Sequence, residues 1–281
     1  MISVIMPAYN EEAFIERSLR SLCSGAALGE LEIIVVCNGC TDSTASKARK
    51  VSGPIKVLET GIPSKTNAMN IGDEIATGFP RFYVDADLIF SLDDLRKVAA
   101  VLNKNGVMAA APEFVFDVIH SSSAVKAYYR VWKQMPYFDT GRIAGAYGLS
   151  REGRTRFGRF PTLTSDDGFV RLQFTPSERT TVKGSSALVS TPRKLSSLIK
   201  IKIRSQSGTT ELRKKFPSLF RNETASPKSS LQRLLHNRFS TYEKLVYVCV
   251  SILARMGGKL NLFLGRKTWA RDESSRELVA K

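Results

Sequence analysis

Asp85 and Asp87 close the apolar run Phe82-Tyr83-Val84-Asp85-Ala86-Asp87 and stand two residues apart. Alternate side chains of an extended strand share a face, so both carboxylates can meet one cation at the strand's end. Carboxylates are hard donors. Mg2+ or Mn2+ held by one or two of them keeps several waters and fills its shell with substrate phosphate oxygens. A second acidic pair, Asp166-Asp167, follows about 80 residues later behind Thr164-Ser165. Two acids at a helix start are also an ordinary partner of the helix dipole.

The elements that must carry these residues can be read from the apolar pattern. Strands are predicted over 2–6, 31–36, 55–58 and 81–84, with helices between them after Asn10, over 42–50 and over 64–76. Asn10 is expected to cap the first helix, which carries Ile15, Leu19 and Leu22 on one face and Glu11, Glu12 and Glu16 near its start. Strict β-α alternation predicts an α/β fold, a mostly parallel sheet flanked by helices. In such sheets ligands bind beyond the carboxyl ends of the strands, where 7–11, 38–42 and 85–87 fall. Farther on, the pattern predicts a helix over 92–102, a strand over 107–116 and an aromatic-rich helix over 123–135. A small-residue loop over 141–148 and a mobile basic stretch over 151–161 follow, then a strand over 181–190 and a basic helix over 192–204. Residues 206–230, rich in Ser, Thr and Lys, read as a linker, and 231–281 as a basic amphipathic helical tail.

Charge is unevenly spread. Residues 1–180 hold 21 Lys and Arg against 20 Asp and Glu, whereas 181–281 hold 21 against 6. A near-neutral body with a basic tail points to an anionic partner for the tail. Lys244, Ser251, Arg255 and Lys259 form one helical stripe in the apolar stretch 240–264, a pattern compatible with peripheral membrane contact. The charge-free run 245–254 is too short to span a bilayer. Cys23, Cys37, Cys40 and Cys249 are too few and scattered for a disulfide scaffold, and Cys37-Asn38-Gly39-Cys40 lacks the second pair of a zinc site. Met1 leads directly into the first strand, so no signal peptide is expected and the reading is cytoplasmic.

Four stretches, in order within the first 87 residues, resemble the nucleotide-sugar-dependent glycosyltransferases of family 2. Ser3-Val4-Ile5-Met6-Pro7-Ala8-Tyr9-Asn10-Glu11-Glu12 is similar to their opening P-x-Y-N-E signature. Val35-Val36-Cys37-Asn38-Gly39-Cys40-Thr41-Asp42 is similar to V-D-D-G-S-x-D, with Cys37 and Asn38 where the family carries acids. Lys65-Thr66-Asn67-Ala68-Met69-Asn70-Ile71-Gly72 resembles K-x-x-A-L-N-x-G, and Asp85-Ala86-Asp87 the D-x-D.

The resemblance covers residues 1–205 and implies a Rossmann-like GT-A domain, with a nucleotide-binding half (1–90) and an acceptor half (91–205). It implies an inverting transfer from a nucleoside-diphosphate sugar to a hydroxyl acceptor, glycan or lipid-linked, with Mg2+ or Mn2+ as cofactor. A UDP-sugar is favoured over a GDP-sugar. On the matching positions, Asp85 and Asp87 hold the metal, and Pro7, Ala8, Tyr9, Glu11, Asn38, Lys65 and Asp85 bind the donor. Asp167 is the base with Asp166 its neighbour. Arg204, in Lys202-Ile203-Arg204, falls where relatives carry a diphosphate-gripping arginine motif, though the motif's tryptophan is missing here.

Four rivals fit less well, one of them a non-catalytic transferase-like scaffold, which the two intact acidic motifs disfavour. A sugar nucleotidyltransferase would carry a glycine-rich loop where this chain has Pro-Ala-Tyr-Asn-Glu, and a retaining glycosidase needs no nucleotide grip. A nucleic-acid-binding role for the tail finds no recognition motif, so no nucleic-acid partner is expected.

Overall fold

The structure, a computed structural model, describes residues 1–104, 106–139, 141–223 and 227–264. The described chain forms two compact units. One comprises 1–115, 141–162 and 173–189; the other 116–139, 163–172 and 190 onward.

The first unit is built on the sheet. Strands β1 (Ile2–Ala8), β2 (Leu31–Asn38), β3 (Ile55–Thr60), β4 (Arg81–Val84), β5 (Leu88–Phe90), β6 (Ala109–Asp117), β7 (Ala146–Leu149) and β8 (Arg179–Ser190) lie in the order β3-β2-β1-β4-β7-β6-β8-β5. The first four pair in parallel, as the alternation predicts. Beyond β4 the pairings β4–β7, β6–β7 and β5–β8 are antiparallel, making the sheet mixed. β4 and β5 are adjacent in sequence yet four places apart in this order. Four strand spacings span ~19 Å in a flat sheet, whereas four residues reach at most ~14 Å. The sheet must therefore curl, and the segment that closes the curl is Asp85-Ala86-Asp87.

Helices α1 (Ile15–Cys23), α2 (Thr44–Lys50), α3 (Lys65–Ile75) and α4 (Leu92–Leu102) flank the sheet. Ile15, Leu19 and Leu22 are fully buried, the predicted face of α1. Asn10 does not cap that helix: α1 begins after Phe14, and Asn10 sits at φ +51° with its side chain turned to Thr41. The 141–148 stretch contains β7 rather than being loop throughout. Arg151–Thr155 is a short helix, α6, and Arg154 there is fixed on Asp73, so the basic stretch is anchored rather than mobile. Gly72 of α3 faces β1, and a Cβ there would lie 2.6 Å from Ile5 Cγ2, itself fully buried. Gly72→Ala is expected to cost about 1–3 kcal/mol through overpacking. A urea midpoint that gives less than ~0.5 kcal/mol would remove this packing constraint.

The second unit is helical. α5 (Ser123–Trp132), α7 (Asp166–Leu172), α8 (Leu195–Lys215), α9 (Pro227–His236) and α10 (Thr241–Phe263) are its main elements. Val125, Tyr128, Leu198 and Val250 form a core shared by α5, α8 and α10, with the Tyr128 and Tyr247 rings stacked at 5.5 Å. The stretch expected as a linker is largely ordered: α8 runs on to Lys215, and α9 occupies 227–236. Polar composition misled here because Gly208 and Leu212 of α8 are buried against the segment that opens α7. By length and composition α10 is also long and apolar enough to cross a membrane, which the run 245–254 alone did not suggest. The tail residues 265–281 lie outside the described residues.

Candidate active site

The first unit gathers its polar clusters at the carboxyl ends of β1, β2 and β4. β1 has β2 on one side and β4 on the other, the switch point at which such sheets bind ligands. Pro7 and Ala8 are in register with Val36 and Cys37. Beyond them the β1 and β2 loops are laced together. Asn10 Oδ1 accepts from Thr41 N at 2.8 Å, Glu11 N donates to Thr44 Oγ1 at 2.7 Å, and Glu12 N donates to Asp42 Oδ2 at 3.2 Å. The left-handed backbone at Asn10 is one that Asn adopts more readily than most residues, and its short amide side chain bonds the neighbouring loop. Glu11 is buried and Tyr9 half-buried at this rim.

The turn after β2 departs most from the acidic pattern. Cys40 Sγ accepts from Asn10 N and donates to Ala8 O, both at 3.4 Å. A hydrogen bond from Cys37 draws the Cys40 thiol downward, and that bond together with burial drives Cys37 upward. Asn38, 1 % exposed, donates through Nδ2 to Ala8 O at 2.8 Å, so much of its role is to tie β2 to β1. Its Oδ1 is buried and has no hydrogen-bond partner among the described residues.

Asp85 and Asp87 do not stand on an extended strand. β4 stops at Val84, and Leu88 N donates to Asp85 O at 3.2 Å, closing a turn over 85–88. Ala86 packs in the core, while both aspartates are half-buried. Asp85 N donates to Gly145 O at 2.7 Å, fixing the turn on the segment before β7. Gly145 has φ +48°, and a Cβ there would lie 3.1 Å from Leu88 Cδ1 and 3.5 Å from Asp85 Oδ2. A side chain at Gly145 would crowd Leu88 Cδ1 and touch Asp85 Oδ2.

Lys65 opens α3, whose N-cap Ser64 accepts from Asn67 N. Its Nζ lies 2.7 Å from Asp85 Oδ1, so the cation and the acid that the sequence placed in one site do meet. Three other residues of the same motif have roles that sequence reasoning left unassigned. Ala68 is fully buried, Gly72 admits β1, and Asn70 exchanges two buried hydrogen bonds with the Phe160 backbone at 2.8 and 3.0 Å. A polar residue amid small and apolar ones on a helix was the available signal for Asn70.

The remaining predicted residues belong to the second unit. Asp166 is buried at the start of α7, and Asp167 Oδ1 accepts from Gly168 N at 2.7 Å and Ser165 Oγ at 3.3 Å. This start is braced by α8. Thr164 N donates to Glu211 Oε2 at 3.2 Å, and Gly208 lets the helix approach Ser165 so closely that a Cβ would lie 3.1 Å from its nitrogen. Behind the pair, Arg171 is buried over the Tyr137 ring and paired with Glu223. Arg204 lies in the middle of α8, half-buried, with no hydrogen bond or ion pair among the described residues.

The sheet is mixed, and it carries two acids and a lysine at its switch point. The profile for "Glycosyl transferase family 2" matches residues 3–160, and the chain belongs to that family. An uncharacterised glycosyltransferase of Haemophilus influenzae is 29% identical over 130 residues, 44% of this chain and 40% of its own length. One of Mycoplasma genitalium is 26% identical over 142 residues, 47% of this chain and 43% of its own. The chain thus spans less than half of these curated relatives. Among solved structures, a Pyrobaculum calidifontis mannosyltransferase in complex with GDP-Man and Mn2+ superposes with a TM-score of 0.61 at 20% identity, over 99% of this chain and 85% of its own. Glucosyl-3-phosphoglycerate synthase of Mycobacterium tuberculosis, in complex with Mn2+, UDP-Glc and phosphoglyceric acid, gives 0.54 at 20% identity over 76% and 79%. These likenesses establish the GT-A fold.

Proposed function

We propose that the protein is an inverting, divalent-metal-dependent glycosyltransferase that moves a sugar from a nucleoside-diphosphate sugar to a hydroxyl of a glycan or lipid-linked acceptor. The observation that carries this reading is the Lys65–Asp85 contact of 2.7 Å on a turn at the sheet's switch point. Mg2+ or Mn2+ fits the residues present. Asp85 and Asp87 are hard oxygen donors on one turn, fixed by the Asp85–Gly145 backbone bond. Among the described residues no three His, Cys, Asp or Glu side chains converge as a metal-binding group, so these two acids would leave the rest of the shell to water and phosphate. Bound there, such an ion supplies Lewis-acid neutralisation of the departing diphosphate.

Pro7, Ala8, Tyr9 and Glu11 form the nucleoside wall in this reading, Asn38 lies beneath it, and Lys65 adds positive charge near the phosphates. Asp167 takes the proton of the acceptor hydroxyl as its oxygen bonds to the anomeric carbon from the side opposite the diphosphate. The bond from that carbon to the phosphate oxygen breaks, and its electron pair leaves with the nucleoside diphosphate, so configuration inverts. Asp166 supports the base, and Arg204 is assigned to the diphosphate on the motif's position. A uridine donor is the first choice, although the two solved structures hold GDP-mannose and UDP-glucose respectively. We place the reaction in the cytoplasm.

Nucleotide release from a panel of UDP- and GDP-sugars, with Mn2+, Mg2+ or EDTA, tests the reading without an assumed acceptor. Metal-dependent release from one donor supports it; no release and no calorimetric binding of any nucleotide sugar would overturn it. Once an acceptor is in hand, Asp167→Asn is expected to lower transfer about 10²–10⁴-fold with donor affinity unchanged, the size of a lost general base. A loss below tenfold would move the base elsewhere.

A further inference from the structure

α10 is only half committed to the protein. Its inner face, with Tyr247, Val250, Ala254 and Gly258, packs on α5 and α8, and Glu243 there is held by Arg130 at 2.7 Å and by the Ser240 capping box. Among the described residues the opposite face is apolar and exposed. Leu245, Ile252, Met256, Leu260 and Phe263, spaced by seven, four, four and three residues, are between 49 and 88% exposed. At 100° per residue they fall in one stripe along a helix ~34 Å long. Lys244, Arg255 and Lys259 follow one margin of that stripe. Between 227 and 264 the chain carries six Lys and Arg and a single acid, the buried Glu243.

We propose that this face docks on an anionic lipid surface, with α10 lying in the plane of the interface. The apolar stripe would enter the boundary between headgroups and acyl chains, and the marginal cations would meet the lipid phosphates. Two alternatives fit the surface less well. A spanning helix would be wrapped by lipid, whereas the inner face of α10 is already occupied by aromatic and charged groups of its own unit. A second copy packed antiparallel on this face would set one cation row beside another, with no exposed acid on the helix to pair it. Charge complementarity therefore selects the bilayer. In sequence, Arg266, Lys267, Trp269 and Arg271 follow the helix, side chains of the kind that favour such an interface.

Co-sedimentation of the full chain with vesicles of phosphatidylcholine alone or with 30% phosphatidylglycerol tests this independently of the donor reading. Binding is expected at least tenfold stronger to the anionic vesicles and weaker as salt rises. The exposed triple variant Leu245→Ser/Ile252→Ser/Met256→Ser should reduce it more than tenfold while leaving the circular dichroism and thermal midpoint of the protein unchanged. Lys244→Gln/Arg255→Gln/Lys259→Gln should abolish the preference for anionic lipid but not the residual apolar binding. Equal binding by wild type and both variants would overturn the proposal. So would a wild-type dimer without vesicle binding that the Ser variant turns to monomer, or membrane association that resists alkaline carbonate.

Discussion

Asp85→Asn is expected to lower donor turnover at least ~10³-fold. The substitution keeps the shape of the side chain and the backbone bond to Gly145, so the turn between β4 and β5 should persist. What disappears is the charge. A hard anionic donor is removed from the candidate cation site, and with it the charge 2.7 Å from the Lys65 ammonium. Stabilisation of a departing diphosphate by such a site is worth several kcal/mol, and ~4 kcal/mol corresponds to ~10³ in rate. The measurement is nucleotide release over a Mn2+ titration, with thermal midpoints confirming the fold. The metal concentration for half-maximal rate should rise in Asp87→Asn, which keeps one carboxylate and the Lys65 contact. Release by Asp85→Asn within tenfold of wild type at saturating metal would remove Asp85 from the reaction.

Asp73→Ala should have the largest effect on stability, about 3–5 kcal/mol, the penalty for leaving buried guanidinium groups without their acid. Asp73 sits on α3 beneath the site. Its Oδ1 accepts from Arg81 Nη1 at 2.7 Å and the Tyr83 hydroxyl at 2.6 Å, and Oδ2 accepts from Arg154 Nε at 2.8 Å. All three charged side chains are mostly buried. Burial works to raise the Asp73 pKa, but the hydrogen bonds from Arg154, Tyr83 and Arg81 outweigh it and hold the carboxyl below its ordinary value. The sign of the pH effect follows. A carboxyl whose pKa is lower folded than unfolded stabilises fully above its unfolded value of ~3.9, and that contribution is lost as pH falls through the folded value. The gap in urea midpoint between wild type and Asp73→Ala should therefore be full at pH 7 and narrow as pH falls through ~3. A constant gap between the two would mean that Asp73 contributes by packing alone.

Much of this protein is legible in its residues taken singly. The β-branched run at 31–36 and the alternation through 84 determine a parallel half-sheet, because buried strands between helices must be apolar on both faces. That same alternation places 7–11, 38–42 and 85–87 at the carboxyl ends of the strands. Lys65 and Asp85, 20 positions apart, could be assigned to one site because each belonged to a separately recognisable stretch.

Tertiary structure decided what depends on partners distant in sequence. The four residues of β7 are too short and small to announce a strand, and exist as one because β4 and β6 offer ladders on both sides. Arg154 reads as a mobile surface cation until Asp73, 81 positions earlier, is seen to hold it. The polar 205–215 stretch looks like linker because Ser, Thr and Gly favour loops by local propensity. It is helix because Gly208 and Leu212 pack where the Ser165–Asp167 segment begins. Even the two aspartates needed the fold. Their spacing suggested a strand end, but a sheet whose adjacent strands β4 and β5 lie four places apart must turn between them, and that turn carries both carboxylates.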